Sequence, residues 1–340
     1  MASDLFLSEA PPLSPAWLAY EKAKGTVDAP ASQEDISPAD ALRLRQRSYA
    51  KTCRDRNERL TSPTGPSHAL LSDIETHPDS TQSPDGATIH LRIYIPTSLT
   101  HPQDFIIYYH GGGLCVGDLD SEDLQCRRLA KDLGIKVVSV EYRLFPDHSP
   151  DTAVADAWAA FLGIAKLWKY NTDQQPGRVY IVGSSSGAQL AAQTAQRARG
   201  TPYLISGLVL RCPVTVDASN GGVSIPQRYE DRHTSFSPSF GTSLLGFDAE
   251  NHLPMARDMP LNADSFAGMP PTFLQLCTND IFYSDGACYA EALVEAGNEL
   301  VTDVLVGWPH TFWLKAPELE EAGEADGRVI GWLRQRVGTE

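Results

Sequence analysis

The chain has 340 residues, 42% of them hydrophobic and 21% charged, with a formal net charge of −15 at pH 7. These are the proportions of an ordinary globular protein, long enough for one large α/β domain or two smaller ones around a sizeable core. The acidity and the lack of a basic stripe argue against nucleic acid or an anionic membrane as partner, and no apolar run approaches bilayer-spanning length. The opening stretch MASDLFLSEAPPLSPAW has no basic n-region and no unbroken apolar h-region, so no signal peptide is expected. Cys53, Cys115, Cys126, Cys212, Cys277 and Cys288 are scattered without a C-x-x-C pair, and N-x-S/T sequons are absent. A reducing cytoplasm is the expected compartment.

Taken in order, residues 1–35 are rich in Pro, Ser and Ala, with Trp17 and Tyr20 placed to anchor a short helix. Ser37-Pro38 starts a second helix, serine as N-cap and proline at the first position, running to about Leu60. A loop at 61–67 follows. Ile89 to Ile95 alternates as a half-buried strand does, and Asp104 to Tyr109 is an apolar strand ending in His110-Gly111-Gly112-Gly113. Further strands are expected at Lys136–Tyr142, Val179–Val182, Gly207–Cys212, Pro271–Cys277 and Leu300–Val306. Helices are expected at Val154–Leu167, Ala188–Ala198, Asp285–Ala296 and Glu324–Arg336. Strands that are near-continuous apolar runs, alternating with helices, predict a mainly parallel sheet covered on both faces. Residues 217–262 break this rhythm. They are polar and far longer than an ordinary connection, so they read as a cap insertion. With 1–60 as an N-terminal cap segment, the core is 61–216 plus 263–340.

Val179 to Ala192 contains an apolar strand, then Gly183-Ser184-Ser185-Ser186-Gly187, then a small-residue helix. Strand, G-x-S-x-G turn and helix is the context of a nucleophile elbow, with Ser185 at the tip. His110-Gly111-Gly112-Gly113 follows its own strand directly. Uncovered backbone N–H groups there suit an oxyanion hole, formed by Gly112, Gly113 and the Ser186 amide, with Gly111 shaping the turn. Chain order in this arrangement is nucleophile, acid, histidine. Only His233, His252 and His310 follow Ser185, and the first two lie in the irregular insertion. His310, just past a strand, is the expected base. Asp280 lies closest to its strand end and is the expected acid, with Asp285 competing. No H-E-x-x-H, P-loop or G-x-G-x-x-G motif occurs, so neither metal nor nucleotide cofactor is expected.

Together these motifs resemble the hormone-sensitive-lipase-like carboxylesterases of the α/β-hydrolase fold, over about residues 68–335. Gly117-Asp118-Leu119-Asp120 is similar to the sequel of the family's HGGG segment. Glu141 to His148 is similar to its YRLAPEH block, Thr278-Asn279-Asp280 stands at its acid loop, and Pro309-His310-Thr311-Phe312 matches its HGF segment. The resemblance implies an eight-stranded sheet, a helical cap and hydrolysis of a small-molecule carboxylic ester, with a homodimer allowed. Lactone hydrolysis, elimination or carbon–carbon chemistry at the same site, or a non-catalytic receptor, are the alternatives. The chain departs from the family's GDSAGG at Ser184, where the family has an acidic residue, and at Ser186. Ser284 stands at the usual second aspartate of the acid loop. These departures point to a specialised substrate.

Overall fold

Strand β3 (Phe105–Tyr109) shows how the sheet is built, because all five residues are buried and successive side chains enter opposite layers. Phe105, Ile107 and Tyr109 pack with α5 (Pro150–Lys169), α6 (Ser186–Ala198) and α7 (Tyr283–Glu295). Ile106 and Tyr108 pack on the other face with α4 (Asp123–Leu133) and α9 (Glu320–Arg334). A strand buried on both faces must be apolar throughout, which is why its sequence does not alternate. The computed structural model describes residues 5–24, 37–169, 177–217, 224–234 and 255–338.

The remaining strands are β1 (Ile74–Gln82), β2 (Thr88–Pro96), β4 (Lys136–Glu141), β5 (Val179–Ser184), β6 (Ile205–Arg211), β7 (Thr272–Asn279) and β8 (Leu300–Pro309). They form one eight-stranded sheet in the order β1-β2-β4-β3-β5-β6-β7-β8. Pairs β1–β2 and β2–β4 are antiparallel and the other five are parallel. The N-terminal helices are α1 (Pro15–Lys24) and α2 (Pro38–Thr61), the latter capped by the Ser37 hydroxyl on the Asp40 amide at 3.2 Å. Two single-turn helices, α3 (Leu70–Asp73) and α8 (Phe312–Lys315), and two short 3-10 helices, Gln227–Tyr229 and Pro260–Asn262, complete the described elements. No helix among the described residues is long and apolar enough to cross a membrane.

Among the elements longer than a single turn, β1 and α4 lie outside the strands and helices read from the sequence. β1 is exposed along nearly its whole length and contains Pro78; as an edge strand it needs no apolar pattern and tolerates a proline. α4 buries one apolar stripe (Cys126, Leu129, Ala130, Leu133) with Asp123 and Gln125 beside it, and the rest of its surface is mostly polar.

The parallel strands all end on one side. The segments after β3, β5, β6, β7 and β8 therefore converge at the C-terminal edge, where loop side chains from distant parts of the sequence can meet.

Candidate active site

Ser185 stands between β5 and α6 with φ 55° and ψ −124°, a conformation that costs a non-glycine residue about 1–3 kcal/mol. The surroundings hold it there. Its amide donates to the Arg211 carbonyl at 2.8 Å, and its carbonyl accepts from Ala188 and Gln189. Gly183 and Gly187 permit the turn: a Cβ on Gly183 would lie 2.2 Å from the Gly187 oxygen, and one on Gly187 would lie 2.1 Å from the Tyr109 oxygen. Among the described residues, the non-glycine positions with positive φ are Leu114, Ser185, Cys212 and Thr311. All four lie on the segments after β3, β5, β6 and β8, so the strained backbone is concentrated at this edge.

His310 follows β8. Its Nε2 is 2.8 Å from Ser185 Oγ, and its Nδ1 is 2.6 Å from Asp280 Oδ2. Asp280 follows β7, and its second oxygen accepts from the Phe282 amide at 2.9 Å. That bond leaves one carboxylate oxygen aimed at the ring. Phe282 meets the imidazole edge-on at 5.4 Å. All three side chains are buried, with Ser185 only 4% exposed. Burial pulls the His310 pKa down, but the Asp280 carboxylate and the Cys212 sulfur beside the ring outweigh burial and raise it to about 9. Donor atoms of Cys212, Asp280 and His310 lie within 4.8 Å of one another, so the ring sits between a carboxylate and a thiol.

Asp285, the competing acid, is engaged elsewhere. It accepts from the Thr215 and Val216 amides at 2.8 and 3.1 Å and faces His233 Nε2 at 3.0 Å. The two residues set aside for the triad thus form a second dyad, which fastens the start of the insertion to α7. His252 lies outside the described residues.

The glycine loop after β3 is shaped by close contacts. Gly112 (φ 130°) has no room for a side chain, since a Cβ would come within 2.0 Å of the Val116 oxygen, and its carbonyl accepts from Cys115 and Val116. Ser186 opens α6, so its N–H has no intrahelical acceptor, and its hydroxyl takes the Leu114 amide at 3.3 Å. Among the described residues the Gly112 and Gly113 amides donate to no protein acceptor. His110 does not face Ser185. Its ring stacks on Tyr142 at 4.3 Å, burial keeps it below the ordinary imidazole range, and Nδ1 lies 2.8 Å from the Gly111 carbonyl. A neutral ring donating there turns the Gly111 carbonyl toward itself. In a trans peptide the following Gly112 N–H then points the opposite way.

Sequence reasoning passes over Glu122, Tyr108, Tyr142 and Cys212. Glu122 is one carboxylate in the run Asp118–Asp123, and nothing in the sequence says which of these is buried. The tyrosines and the cysteine read as core.

The N-terminal segment crosses the same edge. The Leu5 carbonyl accepts from Tyr283 Oη at 2.6 Å, that of Pro11 from Asn279 at 2.6 Å, and the Ser14 amide donates to the Gly307 carbonyl at 2.8 Å. Trp17 is fully buried with Trp308 and Phe312, on either side of His310 in the chain. From α2, Arg56 donates to the carbonyls of Leu314 and Ser121. In the insertion, Thr234 bonds the Leu7 carbonyl and Ser284 Oγ. Residues 235–254 of the expected cap insertion, with Phe236, Phe240, Leu244, Leu245 and Phe247 as its apolar positions, lie outside the described residues.

A family profile described as alpha/beta hydrolase fold matches residues 106–314. The chain is 31% identical to the carboxylesterase NlhH of Mycobacterium tuberculosis, over 74% of this chain and 80% of that one. It is also 31% identical to an ethyl acetate hydrolase of Pseudomonas putida, over 80% and 87% of the two chains. Among solved structures, vibralactone cyclase superposes with a TM-score of 0.81 over 98% of both chains, at 23% identity, a likeness of fold. With the profile spanning most of the chain, and these relatives matched along most of their length, the chain belongs to the α/β-hydrolase family, in the branch of carboxylic ester hydrolases.

Proposed function

We propose that the chain is a serine esterase that cleaves a small or medium-sized apolar carboxylic ester through an acyl-enzyme. The carrying observation is the unbroken line from Asp280 Oδ2 through His310 to Ser185 Oγ, at 2.6 and 2.8 Å. Ser185 Oγ attacks the ester carbonyl while His310 Nε2 takes its proton. Asp280 holds the Nδ1 tautomer and stabilises the imidazolium. The Gly112, Gly113 and Ser186 N–H groups receive the oxyanion, aided by the N-terminus of α6 behind the nucleophile. The imidazolium returns its proton to the leaving alkoxide. Water, deprotonated by the same ring, then releases the acid and restores the serine. Every proton moves through His310, so the cycle needs no metal or cofactor.

The ethyl acetate hydrolase relative favours a short acyl group. The changes at Ser184 and Ser284 favour a specialised metabolite over a general substrate. The six free, buried cysteines suit a reducing cytoplasm. An aryl phosphonate tests the mechanism: it is expected to stop hydrolysis of short-chain p-nitrophenyl esters and to leave its adduct on Ser185. An adduct on Ser184 or Ser186, or hydrolysis that survives full labelling, overturns it. Lactone ring opening would use the same steps, so lactones belong in the substrate panel.

Residues 1–60 and 217–262 are the cap in this reading, over a core of 61–216 and 263–340. The contacts of Leu5, Pro11, Ser14 and Trp17 with the acid and histidine loops support it. Deleting residues 1–24 is expected to change KM and acyl chain-length preference. Loss of the Trp17 packing alone should cost about 3–5 kcal/mol of stability. Wild-type kinetics on every ester, with an unchanged melting temperature, would remove this segment from the site.

A further inference from the structure

Behind the nucleophile lies a buried carboxylate that the mechanism above does not use. Glu122, immediately before α4, is 4% exposed. One of its oxygens accepts the Gly111 amide at 2.6 Å, and the other accepts the Tyr108 hydroxyl. That hydroxyl is in turn 3.4 Å from Ser184 Oγ. The cluster abuts the nucleophile: a Cβ on Gly111 would sit 3.0 Å from the Ser184 carbonyl oxygen and 3.3 Å from the Ser185 Cβ. Burying a carboxylate is costly unless its oxygens are used, and here both are. Burial raises the pKa of Glu122, while the hydrogen bonds and the buried Arg211 guanidinium oppose that rise. Position 184, where the family motif carries an acid, holds a serine in this chain. The carboxylate nearby is instead that of Glu122, the residue before α4, linked to Ser184 through the Tyr108 hydroxyl.

We propose that Glu122 is a positioning residue for the oxyanion loop, supplying from the residue before α4 the carboxylate that position 184 lacks. Gly111 is then gripped at both ends, its N–H by Glu122 and its carbonyl by His110. That double grip fixes the plane from which the Gly112 amide projects. The inference rests on the oxyanion assignment above and adds the group that aims it.

The test uses Glu122→Gln, Ser184→Asp and the double variant in the full chain, with Ser185→Ala alongside. Glutamine keeps the shape but must turn an N–H₂ toward one of two donors. Removing an oxyanion donor outright costs about 10²–10³ in kcat, so mis-aiming one should cost about 10- to 100-fold with KM little changed. Affinity for a boronic acid, whose adduct on Ser185 carries the tetrahedral negative charge, should weaken in parallel. Ser184→Asp in the glutamine background returns a carboxylate to the cluster and should recover most of the lost kcat and boronate affinity. A purely structural role would lower the melting temperature without this recovery. Unchanged kcat in Glu122→Gln, or no recovery in the double variant, overturns the proposal. If Glu122→Gln does not fold, Tyr108→Phe, which removes one donor to the carboxylate, must still lower kcat at constant KM for the proposal to stand. Activity surviving in Ser185→Ala sinks the serine mechanism itself. A dead Ser185→Ala beside a wild-type-like Glu122→Gln sinks only this inference.

Discussion

Ser185→Ala is expected to lower kcat by about 10⁶-fold and to leave the fold intact, since without Oγ no acyl-enzyme forms. Alanine keeps the Cβ and can hold the same strained φ, and the backbone bonds that fix the turn, to the Arg211 carbonyl and from Ala188, do not involve the hydroxyl. His310→Ala should cost nearly as much, because a serine hydroxyl with no base is a poor nucleophile at neutral pH. Combining the two should cost little more than either alone, as expected for groups that act as a unit. Steady-state kinetics of the two single variants and the double variant checks this. Losses that multiply would mean that Ser185 and His310 act in separate steps, contrary to the 2.8 Å contact between them.

Asp280→Asn should lower kcat by about 10⁴-fold, mainly by favouring the wrong imidazole tautomer. The asparagine oxygen can still accept from the Phe282 amide, which leaves its N–H₂ facing His310 Nδ1. The ring would then carry its proton on Nε2, where it cannot accept one from serine. The pH profile gives an independent sign. Only neutral His310 can act as base, and its pKa is raised to about 9, so kcat/KM should climb with pH into the alkaline range. Removing the Asp280 charge lowers that pKa and moves the acid limb of the residual activity to lower pH. Asp285→Asn should behave differently. It disturbs the anchor for Thr215, Val216 and His233 and should lower the melting temperature while costing kcat far less. A larger kcat loss in Asp285→Asn than in Asp280→Asn would move the acid to position 285.

The sequence alone determined the local chemistry of this chain. Val179–Val182 before G-x-S-x-G, and Phe105–Tyr109 before three glycines, are strands whose turns admit no side chain. The contacts at Gly183, Gly187 and Gly112 are the physical reason. Buried parallel strands announce themselves because both faces must be apolar. β1 carries no such mark, since an exposed edge strand is held by backbone bonds to β2 that any residue can make. Between two aspartates five residues apart, the sequence favoured Asp280 only by its nearness to a strand end. Both Asp280 and Asp285 are buried, and only packing turns one toward His310 and the other toward His233. The tertiary structure also decided which carboxylate of the Asp118–Asp123 run meets Gly111. Glu122 is selected by how the residue before α4 meets the loop after β3, a contact between segments that no residue pattern along the chain records.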